Sequence, residues 1–412
     1  MGFAPPRVRA EEPDRTATRL ELFFDLAFVV ALGELALHFA DDLGVAGWLW
    51  SVGTFVALWW VWAGFTVYAN RFDSDDVLYR VGKLAAMAAV LGCAAALPTA
   101  EDGVPVSFVL CYAATQLLLA FLYLRAARYL EEAAPVARVY LTGLLTGTAL
   151  WLVALPFAPG VRGGIGLAAV LVAGSAPVLG RRRTAAVTLH LEHLPERVGL
   201  LVILVLGEVT AACVLGLKEA RWSAASTVAA GLAFVVGAAL WWLYFDTAGA
   251  ATTTSLQDAM DDDGKDAAED EKESTSAFDL YLYGQLPATL GLLVAGVGIE
   301  HAVAEAGKEA LPWSTLLPMC VGVALYLLAL AGTQAALRST ASRNTLWPAA
   351  GAAALLVAIP VGRLLAPTVA LGLVALVVVA SLALGLERRA DGAMPVAEPD
   401  ENADRSDRAS SR

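Results

Sequence analysis

Three carboxylates sit inside stretches that are otherwise apolar. Asp25 and Glu34 lie in a run at about 20–40, and Glu208 lies in a run at about 198–217. An ionisable side chain in a bilayer costs roughly 2.5–3.5 kcal/mol on insertion scales, so each invites a functional explanation. At 1.5 Å per residue, Glu208 is ~15 Å deep, near the midplane, and Glu34 is ~18 Å from the start of its run. Two roles fit such groups. A titrating carboxylate at that depth can take part in protonation-linked transport. A carboxylate held by a buried Arg, Tyr or Trp donor only fixes packing. The sequence leaves both open.

Spacing separates the candidates into groups. Glu21 and Asp25 are four residues apart and share one helix face. Glu34 is nine residues beyond Asp25, half a turn away, and shares its face with His38. Thr18-Arg-Leu-Glu21 reads as a capping box, which gives Glu21 a structural role. Arg19 and Arg197, at the starts of their runs, are the natural counter-charges or access residues for the acids. Asn70, Arg71, Asp73, Asp75 and Asp76 cluster after another run. They read either as a solvated loop with acids at a helix N-terminus or as a gate for cations. His190, His193 and Glu196 raise the question of a metal. However, the histidines are three apart and Pro195 intervenes, unlike the His-Glu-x-x-His of zinc proteases. Pairing of Arg197 or His193 with a buried carboxylate is the better expectation. No Walker loop, Gly-x-Ser-x-Gly or Ser-x-x-Lys motif is present, so no enzyme, cofactor or metal is expected.

These residues need elements to hold them, and the composition says which. The chain has 412 residues, 58% of them apolar and only 17% charged. Soluble proteins are nearer 45–50% and about 25%. An ordinary soluble enzyme, a disordered chain and, with a net charge of −12, a nucleic-acid binder are excluded. Apolar runs stand at about 20–40, 48–69, 80–98, 104–124, 136–157, 163–180, 198–217, 223–246, 280–302, 312–333, 346–366 and 367–386. Unbroken runs of this length are membrane helices rather than barrel strands. The expected fold is therefore an all-α integral membrane protein of about twelve spans.

Lys and Arg fix the expected orientation. Of the 28, 23 fall in the N-terminal arm, in the loops after spans 2, 4, 6, 8 and 10, and in the C-terminal tail. The other side has Arg162, Lys218, Arg221, Lys308 and Arg363. This split places both termini in the cytoplasm and the chain in the cell membrane. The first residues lack the apolar core of a cleavable signal, so span 1 is expected to act as the insertion signal. Cys93, Cys111, Cys213 and Cys320 all fall inside spans and form no CxxC pair; they read as small apolar packing groups.

The organisation follows. Residues 1–19 form an arm, 20–180 a first six-helix unit, 181–193 a connector and 194–386 a second unit. Within the second unit, 252–277 is an acidic loop expected to be disordered, and 387–412 is a polar tail of the same kind. The two units echo one another in order. Gly33-Glu34 is matched by Gly207-Glu208, Trp59-Trp60 by Trp241-Trp242, and Leu78–Leu84 by Leu280–Leu286. Six helices per unit give two repeats of the same orientation, related by an axis along the membrane normal.

Several stretches carry a family resemblance. Arg19–Val29, Trp59–Asp73 with Asp75-Asp76, His193–Gly199 running into Leu206-Gly-Glu208, Trp241–Asp246 and Tyr283–Pro287 resemble motifs of the bacterial low temperature requirement protein A family. The similarity covers about 15–335. Glu34 departs from the pattern, since a polar amide is more usual there. The resemblance implies an integral membrane protein tied by name to growth in the cold, and it adds Asp246 to the candidate residues. Arg19, Glu21, Phe23 and Asp25 are also similar to the opening signature of the endolysosomal potassium channel family. Phe24 replaces the small residue of that signature. The expected function is a secondary transporter or a cation- or proton-conducting protein that uses buried carboxylates. A membrane-embedded enzyme, or a membrane sensor or assembly factor linked to cold adaptation, is the alternative. Its partners would be the lipid bilayer, a small ion or small-molecule substrate, and a second copy of the chain as a homodimer.

Overall fold

Backbone amides in an apolar sequence have only one another to bond, so long apolar runs close into helices. The structure, a computed structural model, describes residues 5–8, 18–73, 76–100, 103–180, 194–249, 267–337 and 346–392. Its long helices, among the described residues, are α1 (Arg19–Asp41), α2 (Val45–Arg71), α3 (Val77–Ala96), α4 (Val106–Tyr129), α5 (Ala134–Val153) and α6 (Pro159–Leu179), followed by α7 (Leu194–Glu219), α8 (Ala224–Trp242), α9 (Ala267–Ala304), α10 (Trp313–Leu337), α11 (Leu346–Gly362) and α12 (Pro367–Gly392). Ten of them, α2 to α10 and α12, are long and apolar enough to cross a membrane. Outside that set, α1 carries Arg19, Glu21, Asp25, Glu34 and Asp41, and α11 has 17 residues. This is the architecture of a polytopic membrane protein. The outer face of α1 fits it, since Phe23, Leu26 and Val30 are about half exposed, an apolar face compatible with lipid.

Local chemistry sets the helix ends. Thr18 caps α1, accepting from the Glu21 amide at 3.3 Å, while Glu21 Oε2 accepts from the Thr18 amide at 2.9 Å. This is the expected capping box. Pro159 and Pro367 open α6 and α12, where a missing amide hydrogen costs nothing. The most buried spans are α2, α9 and α10. Between α9 and α10 the backbones touch. A Cβ at Gly291 would lie 2.7 Å from the Gly322 carbonyl oxygen, so glycine is needed for the approach.

Two ends of the bundle can be told apart. Strand β1 (Arg7–Val8) pairs antiparallel with β2 (Phe72–Asp73), so the N-terminal arm and the α2–α3 connection share one end, here the arm end. Residues of the α1–α2 and α3–α4 connections, among them Asp42 and Ala100, together with Pro159 at the start of α6, surround one cavity at the far end.

Some expectations change. The acidic segment 252–277 was expected to lack structure throughout, but the chain is helical from Ala267 into α9. Ala267-Ala-Glu-Asp-Glu is built from good helix formers with acids in the first turns, which the helix dipole favours. Residues 252–266 lie outside the described residues, as does the 181–193 connector. The tail expected from 387 is helical to Gly392. The two Trp pairs also differ. Trp59 and Trp60 are buried against Tyr283, with ring centroids 6.2 and 6.0 Å away, whereas Trp241 and Trp242 are 46% and 45% exposed. They are not equivalent packing residues.

Candidate functional site

Six residues into α1, Asp25 is turned into the bundle and is 1% exposed. Two donors meet its Oδ1. The Trp62 indole N–H on α2 donates at 3.0 Å, and Arg197 Nη2 on the first turn of α7 donates at 3.0 Å. Arg197 Nη1 also lies 3.9 Å from Glu21 Oε2. One guanidinium thus closes the gap between the starts of α1 and α7, with Trp62 completing the seal. Lys83 on α3 is fully buried, with its Nζ 4.6 Å over the Phe24 ring, and its charge also acts on Asp25. Arg19 itself is exposed at the helix start. Arg197 therefore forms the ion pair with Asp25.

A second ion pair lies at the same end. Asp76 caps α3, accepting from the Leu78 and Tyr79 amides at 3.3 and 3.4 Å. Both of its oxygens also accept from Arg125 of α4, at 2.8 and 2.9 Å. A carboxylate gripped by a bidentate guanidinium and a helix N-terminus has little charge left for a passing cation. Asn70 and Arg71 are buried near it in sequence, and the Arg71 guanidinium lies 5.8 Å over the Tyr140 ring. Asp73 is placed by its backbone pairing with Arg7, and its side chain is outside the described residues.

Deeper in the bundle the chemistry changes. Glu208 lies near the middle of α7 and is half-buried. A Cβ at Gly33 of α1 would be 3.6 Å from Glu208 Oε1, and a Cβ at Gly296 of α9 would be 3.3 Å from the Glu208 carbonyl carbon. Two glycines therefore bring α1 against this carboxylate and α9 against the Glu208 backbone. Among the described residues it has no ion-pair partner. The charged group acting on it is another acid, Glu300 of α9. Glu300 in turn lies within electrostatic reach of Asp41, Glu219 and His301. Acids thus lead from the far ends of α1 and α7 toward Glu208.

Glu34 belongs to neither network. With His38, Asp41 and Asp42 it lines a cavity of about 870 Å³ at the far end, between α1, α2 and α6. Asp25 and Glu34 do lie on opposite faces, as their spacing required. Between the Asp25 and Glu208 levels a near-closed gap of about 10 Å³ is walled by Phe28, Leu32, Trp59, Trp62, Leu201 and Val205. The other candidates are scattered. Asp246 is exposed in the π-helical turn Leu243–Gly249, and His193 lies outside the described residues. Sequence reasoning missed Trp62, Lys83, Arg125 and Glu300 as site residues. Glu300 left a signal, as an acid that ends an apolar run beside His301. Among the described residues, no cluster of three or more His, Cys, Asp or Glu could hold a metal ion.

Comparison with known proteins gives two findings. The family profile described as bacterial low temperature requirement A protein matches residues 16–383. An uncharacterised protein of Rhizobium meliloti (strain 1021) is 28% identical over 316 residues, which cover 72% of each chain.

Proposed function

The chain belongs to the bacterial low temperature requirement A family, and from that premise we propose that it is a secondary transporter or a cation- or proton-conducting protein, without enzymatic activity. In this reading all twelve long helices cross the cell membrane as two six-helix repeats, with both termini in the cytoplasm. Matching contacts support the repeats. In the first half α1 packs on α2 and α3, α3 on α4, α4 on α5, α5 on α6, and α2 on α6. In the second, α7 packs on α8 and α9, α9 on α10, α10 on α11, α11 on α12, and α8 on α12. The Lys and Arg split supports the orientation, and the pairing of β1 with β2 is in keeping with it. A protease added outside intact cells should then leave residues 252–277 uncut; cleavage there would sink the twelve-span topology.

The observation that carries the functional reading is the place of Glu208. It is a carboxylate at mid-depth, where α1, α7 and α9 meet, with another acid and, among the described residues, no cation acting on it. Such a group favours the uptake of a proton or a cation. The Asp25–Arg197–Trp62 network then acts as the closed end of the path, and the apolar layer above it as the barrier. The test is flux in proteoliposomes loaded with a pH-sensitive dye, with and without an imposed pH gradient. Faster pH equilibration than in empty vesicles is expected. Rates equal to those of empty vesicles under imposed proton, potassium and sodium gradients alike would contradict it.

A further inference from the structure

We propose that the far-end cavity is a binding site for a small organic ammonium ion. At about 870 Å³ the space is of ligand size. Among the described residues its acids are Glu34, Asp41 and Asp42, and no Lys or Arg lines it. Glu34, His38 and Asp41 stand at i, i+4 and i+7 of α1, so they climb one helix face over ~10 Å from depth to mouth. The basic residue of the neighbouring roof is turned away. Arg162 donates to the carbonyls of Val104, Leu155 and Phe157, at 2.7, 3.2 and 2.9 Å, and so fastens the α3–α4 connection to the α5–α6 connection.

Aromatic faces complete the chemistry. Trp50 and Trp151 line the same space, and the His38 ring lies 4.5 Å from that of Trp50. Trp151 is 3% exposed, and its indole N–H has no hydrogen-bond partner among the described residues. The wall thus keeps a buried donor unmet. Carboxylates beside indole faces recognise alkylated ammonium groups, whose charge is spread over apolar surface. A bare divalent ion would instead need six or more converging oxygens at ~2.4 Å, and the described residues present no such cluster.

The assignment rests on the transport reading for the fate of the ligand, and names the class of its cargo. Occupancy needs no flux. The test uses the full chain purified in detergent and its intrinsic Trp fluorescence, titrated with choline, with the neutral isostere 3,3-dimethylbutan-1-ol and with Ca²⁺. Saturable binding of choline is expected, with the isostere about tenfold weaker or worse. Glu34→Gln should weaken choline by about tenfold, and Trp50→Leu by a similar factor. If Glu34→Gln does not fold, Trp50→Leu carries the test. Equal affinity for choline and its isostere, displacement of neither by the two substitutions, or saturation by Ca²⁺ alone overturns the site. Choline binding without flux above that of empty vesicles under proton, potassium or sodium gradients would contradict the transport reading and leave the site standing. Flux without choline binding would do the reverse.

Discussion

At the arm end, Asp25 and Asp76 each meet a guanidinium at 3.0 and 2.8 Å, whereas in the middle Glu208 meets a glycine and the charge of Glu300, and at the far end Glu34 lines a cavity. The residue type is the same and the environment is opposite. A buried carboxylate with a fixed cation is a joint between helices. Removing its partner strands a charge, while replacing the pair with apolar groups is often harmless. A carboxylate without a cation keeps its capacity to gain a proton or an ion. On the proposed function, closure and stability belong to the first group and traffic to the second.

The largest expected effect follows from breaking the joint. Arg197→Met leaves Asp25 buried with the Trp62 hydrogen bond and the more distant Lys83 charge but without its ion-pair partner, and should destabilise by about 3–5 kcal/mol. The apparent Tm in detergent would fall by the most of any variant here. Adding Asp25→Asn should recover much of that loss. If Arg197→Met melts like the parent, the pair is not a joint and the comparison collapses. Arg162→Met comes next. It strands three carbonyls at the far-end roof, each without a buried donor, for a loss of roughly 2–3 kcal/mol. Its Tm should drop by less than that of Arg197→Met; a larger drop would invert the ranking of the two ends. The smallest effect belongs to Thr18→Ala, which removes the cap of α1 for about 1 kcal/mol. A loss as large as that of Arg197→Met would mean that the capping box, not the ion pair, anchors α1.

Much of this comparison could be read from the sequence, though unevenly. Asp25, Glu34 and Glu208 stand out because charge is rare in apolar runs, and nine-residue spacing alone separates Asp25 from Glu34. Arg197 as counter-charge followed from its place at a helix start. Lys83 and Arg125 entered only as loop charges in the orientation count. Yet Lys83 is buried and its charge acts on Asp25, 58 residues away, and Arg125 binds Asp76 from α4, 49 residues away. Trp62 was lost among the tryptophans of α2, since an indole donor looks apolar in a hydropathy count. The cavity was illegible for a different reason. Its walls use Gly163, Gly164 and Gly166, which mark a void only once the helices are packed. The Trp241-Trp242 echo shows the limit of short repeats, because matching letters faced lipid in one half and core in the other.

Glu208→Gln tests the central claim most directly, since it keeps shape and hydrogen bonding while removing the titrating group. Parent and variant are reconstituted at equal density and compared for dye-reported flux under a pH gradient, with apparent Tm as the check on folding. The account predicts an unchanged Tm, because no ion pair is broken, and pH-driven flux reduced to that of empty vesicles. Parental flux in a correctly inserted Glu208→Gln would make Glu208 a packing residue and contradict the account.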